Sequence, residues 1–130
     1  MRAFADAVGG IGAALCAIHC LAGPLLLLGG SLVPSVLLPD ASFHEAMLWL
    51  VVPSSLLAFS VGCRRHEDMT TLLLGTGGLL GLVLAATGLH AVLGEVGEKI
   101  VTVAAATALG AGHWRNFRLC RAEGCEHGPS

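Results

Sequence analysis

Charge is scarce in this chain. Asp, Glu, Lys and Arg make up 12% of its 130 residues, while hydrophobic residues make up 55% and the mean hydropathy is +0.79. A soluble domain usually carries about a quarter charged residues, so this composition cannot cover a water-exposed surface and points to one integral membrane domain, residues 1–130. The formal net charge of -2 is too small to recruit nucleic acid or another strongly charged partner. No G-x-x-x-x-G-K-[ST] run occurs, which excludes a nucleotide-driven pump built into the chain itself. A cleavable signal is not expected either, since one early Arg2 is followed by Asp6 and a long apolar span.

What is present is apolar sequence in blocks. A helix needs about 20 residues to cross roughly 30 Å of hydrocarbon, and four apolar stretches, about residues 7–28, 46–61, 70–93 and 100–111, lie between polar breaks, the short second and fourth extending into flanking residues such as Phe43 or Trp114. Gly29, Gly30 and Pro34 interrupt without adding charge, so the first stretch can extend toward Leu38. With the N-terminus inside, the inner side holds Arg2, Arg64, Arg65, Arg115, Arg118 and Arg121, and the outer side only Lys99. That asymmetry predicts both termini in the cytoplasm and a multi-pass protein of the inner (plasma) membrane, with lipid as its first partner. Small residues at Gly12–Cys16–Cys20, Gly77–Gly81 and Ala104–Ala108–Gly112 have the spacing by which helices pack in lipid. The expected fold is all-α, a four-helix membrane bundle, with a cytoplasmic tail over 113–130.

The first stretch carries Cys16-Ala-Ile-His19-Cys20. At 100° per residue these three ligand types share an arc of about 100°. Gly9, Gly12, Gly23 and Gly30 project the same way, so the motif faces neighbouring helices near the bilayer midplane. Pro24 lacks the N–H that would bond the Cys20 carbonyl, leaving that oxygen available beside the sulfur. Two thiols one turn apart with an imidazole read as a metal site. A lone cysteine such as Cys63 reads as packing, and His19 can equally serve as a hydrogen-bond donor between helices.

A second constellation, Cys120-Arg-Ala-Glu-Gly-Cys125-Glu-His127, reads as two thiols and an imidazole in a short, mobile tail. Arg118 and Arg121 favour the thiolate, and in a reducing cytoplasm such a pair binds metal or cycles redox state rather than acting as a staple. His44, Glu45, His90 and Glu95 are candidates for a cation funnel on the outer side, though polar residues at helix ends ordinarily just face water. His66, Glu67 and Asp68 read as a solvated loop.

These features resemble the MerC family of small four-helix inner-membrane proteins. The likeness is carried by Cys16, Cys20 and Pro24, by the stretch His113-Trp-Arg-Asn116-Phe-Arg-Leu-Cys120-Arg121, and by the Cys120, Cys125 and Glu126 ending. It implies mercuric ion uptake, with Cys16 and Cys20 taking Hg(II) from the periplasmic side and Cys120 and Cys125 receiving it on the cytoplasmic side. Family members carry C-x-x-C directly before Phe-Pro, whereas this chain has C-x-x-H-C with Pro24 four residues on. Two thiolates suit Hg(II) or Cu(I), and two thiolates with an imidazole also suit Zn(II).

The expected metal ligands are thus Cys16, His19, Cys20, Cys120, Cys125 and His127. The ion is cargo, no cofactor is permanently bound and no enzymatic activity is expected. Cytoplasmic thiols or a metal-accepting protein are the expected recipients, and a homodimer through the glycine faces stays open. A membrane thiol-disulfide oxidoreductase is the competing reading, weakened because an i,i+4 pair in a helix sits at the limit of disulfide geometry.

Overall fold

Helix geometry dominates the computed structural model, which describes residues 2–28, 40–66 and 68–122; the side chains of residues 2, 23–24, 26–27, 40–41 and 61–66 lie outside the description. Among the described residues there are helices and no strands. The elements are α1 (Arg2–Leu28), α2 (Asp40–His66), α3 (Met69–Leu84), a π-helical turn (Ala85–Leu89) and α4 (His90–Ala122). Three helical runs are long and apolar enough to cross a membrane: Ala3–Ala22, Ser42–Ser60 and the 54-residue Met69–Ala122.

Where the sequence predicts four spans, the structure has these three runs, and the third folds back on itself. Gly94 interrupts it with φ 69° and ψ -179°, a conformation essentially reserved for glycine. The two arms then lie antiparallel: Gly112 abuts the Gly75 backbone, Gly78 abuts Ala105 and Leu109, and Gly81 abuts Ala105. Residue numbers in the facing pairs centre a little before or at Gly94, which places the apex at that residue. The arms correspond to the stretches expected at 70–93 and 100–111.

The small-residue stripes are shifted from those expected. Gly77 has nothing within 4 Å of an added Cβ, whereas Gly75 and Gly78 are buried against Phe59, Leu109 and the α4 backbone. Opposite them run Ala105, Ala106, Leu109 and Gly112, with Ala104 exposed. In α1 the face Gly9, Gly12, Cys16 and Cys20 is buried as expected, with Val51 of α2 standing over Gly12.

Pairing across the bundle fixes its directions. On α1 and α4, Asp6 meets Asn116, Gly9 meets His113 and Ala13 meets Gly110, which is an antiparallel match. Between α1 and α2, Gly12 meets Val51 and Cys20 meets His44, again antiparallel. Ser55 meets His113 and Ala58 meets Asn116, so α2 and α4 run parallel. The N-terminus of α1, the end of α2, the start of α3 and the end of α4 therefore share one end of the bundle.

That end is held by Asp68, which caps α3. Its carboxylate accepts from Thr71 N at 3.0 Å and from Arg115 Nε at 2.7 Å and Nη2 at 3.2 Å. The expected solvated loop at Asp68 is thus a helix cap tied to α4. The Arg115 and Thr71 bonds hold the Asp68 carboxyl well below the usual carboxylate range.

Candidate metal site

Neither Cys16 nor Cys20 is in a disulfide, and both are 3% exposed. Their burial follows from the small-residue face of α1: Gly12 admits Val51, which brings α2 close enough for its side chains to close over the next two turns. The group that meets Cys20 is His44, with Nε2 3.3 Å from Sγ. A thiol donating into Nε2 places the ring proton on Nδ1. His44 is 8% exposed, so the pair is shielded from solvent.

His19 packs on the same segment of α2. Its ring stacks on Phe43, centroids 3.9 Å apart at 16°, and meets the edge of the His44 ring at 5.9 Å. The imidazole beside a thiol is therefore supplied by α2, 24 positions away, and the sequence motif did not reveal it. One clue was available: His44 is itself an ionisable group in an apolar segment. A cavity of about 10 Å³ lies beside His44, lined by Cys16, His44 and Met47 together with Leu82, Ala86 and Thr102. That volume is about enough for one water-sized occupant. All four arms of the bundle contribute to its wall.

The expected outer funnel does not assemble. His44 turns inward to Cys20, His90 pairs with Glu98 at 2.9 Å, and Lys99 donates to Glu95 at 2.7 Å. Among the described residues no three His, Cys, Asp or Glu side chains converge into a preformed metal-holding group.

At the opposite end the tail expectation changes. α4 continues to Ala122, because its buried face, Thr102, Ala105, Ala106, Leu109, His113, Asn116 and Cys120, keeps helical spacing past position 113. Cys120 is accordingly a helical residue, 9% exposed, rather than part of a mobile tail. Cys125 and His127 lie outside the described residues, as do the side chains of Pro24 and Cys63.

The same continuation buries His113 in a polar network that sequence reasoning missed. His113 Nδ1 is 3.0 Å from Asp6 Oδ1 and its Nε2 is 3.0 Å from Ser55 Oγ. Asn116 Nδ2 donates to Asp6 Oδ1 at 3.0 Å and Oδ2 at 2.9 Å. Phe59 stacks on the imidazole with centroids 4.5 Å apart. Ser55, His113, Asn116 and Asp6 are all at most 4% exposed. Burying such groups is costly unless they are satisfied, and here α1, α2 and α4 each supply part of the satisfaction. Asp6 near the start of α1 and the H-x-x-N spacing in α4 were the available signals.

A protein-family model described as MerC mercury resistance protein matches residues 6–118, most of the chain. No curated protein and no solved structure gives a significant match.

Proposed function

The chain belongs to the MerC family of mercury resistance proteins, which are membrane transport proteins, and from that premise we propose that it carries mercuric ion across the inner membrane by thiolate exchange. The observation that supports this most is the burial of Cys16 and Cys20 on one face of α1, with Cys20 against His44. Thiols facing lipid would be inert small hydrophobes; thiols facing a polar group and a small cavity can take an ion. Two thiolates neutralise a divalent charge, which removes most of the penalty for holding it in a low dielectric.

In this reading the protein crosses four times, since each arm of the Met69–Ala122 hairpin is itself of spanning length. The end holding Arg115, Arg118 and Arg121 faces the cytoplasm, following the excess of arginine there. Cys120 and Cys125 then receive the ion, with His127 beside them, and pass it to cytoplasmic thiols. A bis-thiolate site releases a soft ion only as incoming thiolates replace the old ones stepwise, so a pair at each station fits the chemistry.

The stations are well separated. By the α1–α4 pairing, Cys120 lies level with the start of α1, about 20 Å along the axis from Cys16 at 1.5 Å per residue. Direct exchange between them is impossible without movement. The Asp6–His113–Ser55 network occupies the level between.

The test is Hg(II) accumulation by cells expressing the intact protein, Cys16→Ser/Cys20→Ser or Cys120→Ser at equal membrane levels. Loss of accumulation in both variants is expected. Accumulation equal to wild type in either variant sinks the two-station mechanism, and accumulation of Zn(II) or Cu(I) in place of Hg(II) would keep the route and change the ion.

A further inference from the structure

The first station, as the proposed function reads it, consists of Cys16 and Cys20. The geometry around them points further: we propose that His44 is a ligand of the transported ion and that Met47 adds a thioether to the same seat. The complete donor set is then two thiolates, one imidazole and one thioether, drawn from α1 and α2. This rests on the reading of the two thiols as ligands.

Three observations carry it. The first is separation. On a four-coordinate ion with metal–sulfur near 2.3 Å and metal–nitrogen near 2.0 Å, the two donors stand about 3.5 Å apart, and Cys20 Sγ and His44 Nε2 already stand 3.3 Å apart. Replacing the shared proton by an ion with those bond lengths, which are zinc's, needs a shift of a few tenths of an ångström, and the longer bonds of Hg(II) need a somewhat larger one. Each thiol that binds gives up one proton, released in the end to bulk solvent, as its sulfur–metal bond forms.

The second is space. The cavity of about 10 Å³ is bordered by Cys16, His44 and Met47, so three donor-bearing residues share one space, with Cys20 joined to it through His44. The third is the disposition of the alternative. His19 stacks face to face on Phe43 at 3.9 Å, whereas His44 Nε2 stands 3.3 Å from Cys20 Sγ.

The set also implies selectivity. Thioether and thiolate are soft donors that favour thiophilic ions, and a thioether adds little for Zn(II). Met47 thus biases the seat toward Hg(II) over Zn(II), while His44 serves both.

The experiment uses the full-length reduced protein in detergent, with Hg(II) and Zn(II) as probes. Affinity is read by competition with a dithiol chelator and the donor set by X-ray absorption at the mercury edge. The wild-type Hg(II) complex is expected to show a nitrogen neighbour beside sulfur. His44→Gln should lose that nitrogen and weaken Hg(II) binding by at least the roughly 10- to 100-fold typical for groups that merely orient a ligand. His19→Gln should leave both unchanged, and Met47→Leu should narrow the preference for Hg(II) over Zn(II).

A wild-type complex with sulfur neighbours alone overturns the proposal without any variant. So does His44→Gln binding Hg(II) as wild type does while Cys16→Ser/Cys20→Ser has lost it, an outcome that leaves the thiol reading intact. Absence of Hg(II) binding by the wild-type protein overturns that reading as well.

Discussion

Adding one methyl group at Gly78 tests the hairpin at its tightest point. A Cβ there would lie 2.6 Å from the Leu109 nitrogen and 2.8 Å from the Ala105 oxygen. Both are backbone atoms, and no rotamer change can move them aside. Ordinary contact begins near 3.4 Å, so α3 and α4 must part by roughly 0.8 Å at this level. Overpacking of that kind costs about 1–3 kcal/mol, and the separation also opens the Ala105 and Leu109 contacts along the seam. Gly77 supplies the control, because an added Cβ there has nothing within 4 Å; Gly77→Ala gains up to about 1 kcal/mol of helix propensity. Denaturation of the two purified variants in the same detergent, followed by circular dichroism, should place Gly78→Ala below wild type and Gly77→Ala at or above it. Equal stability of the two variants would refute the antiparallel packing deduced from Gly75, Gly78 and Gly112.

Three more outcomes are expected. Asp6→Ala leaves the Asn116 amide and the His113 ring without their acceptor in a buried site, and should destabilise by about 3 kcal/mol, read in the same denaturation assay; a loss under 1 kcal/mol would mean that water takes over. Asp68 has a depressed carboxyl pKa, so its tie to Arg115 stabilises the fold above roughly pH 4, where the unfolded carboxyl is ionised, and fades as pH falls through the lower folded value. The stability gap between wild type and Arg115→Ala should accordingly be present at pH 6 and shrink progressively below pH 4. Gly94→Ala forces a side chain into φ 69° and should cost about 1–3 kcal/mol, with thermal melting in detergent as the check.

Much of the bundle was legible because lipid imposes period and length on the sequence. The buried face of α1 followed from the angular positions of Gly9, Gly12, Cys16 and Cys20 alone. Helix ends were less legible where they lie outside the apolar stretch: Arg115, Arg118 and Arg121 ended the hydropathy signal near 111, although the buried face of α4 runs on through Asn116 to Cys120. Charge on the exposed side of a turn says nothing about the side that packs. The glycine stripe of α3 was misplaced for a related reason, since Gly75, Gly77, Gly78 and Gly81 offer two overlapping small-residue rows, and only the partner helix selects one.

Contacts between helices depend on register, and register is not a local property. Within α1, spacing nominates His19 as the imidazole beside the thiols, because both share a helix and an arc. Which residue of α2 stands against Cys20 depends on how deeply Val51 seats over Gly12, and that packing brings His44 level with Cys20. The antiparallel register of α1 on α4 likewise sets Asp6 against Asn116, more than a hundred positions away. The small residues of α1 therefore do two jobs through one geometric effect: by letting α2 and α4 approach, they decide which polar side chains find partners inside the apolar bundle. A bulkier residue at Gly12 should disturb Cys20 and His44 without touching either, since sliding or tilting α2 by one turn would move His44 by about 5 Å along the axis.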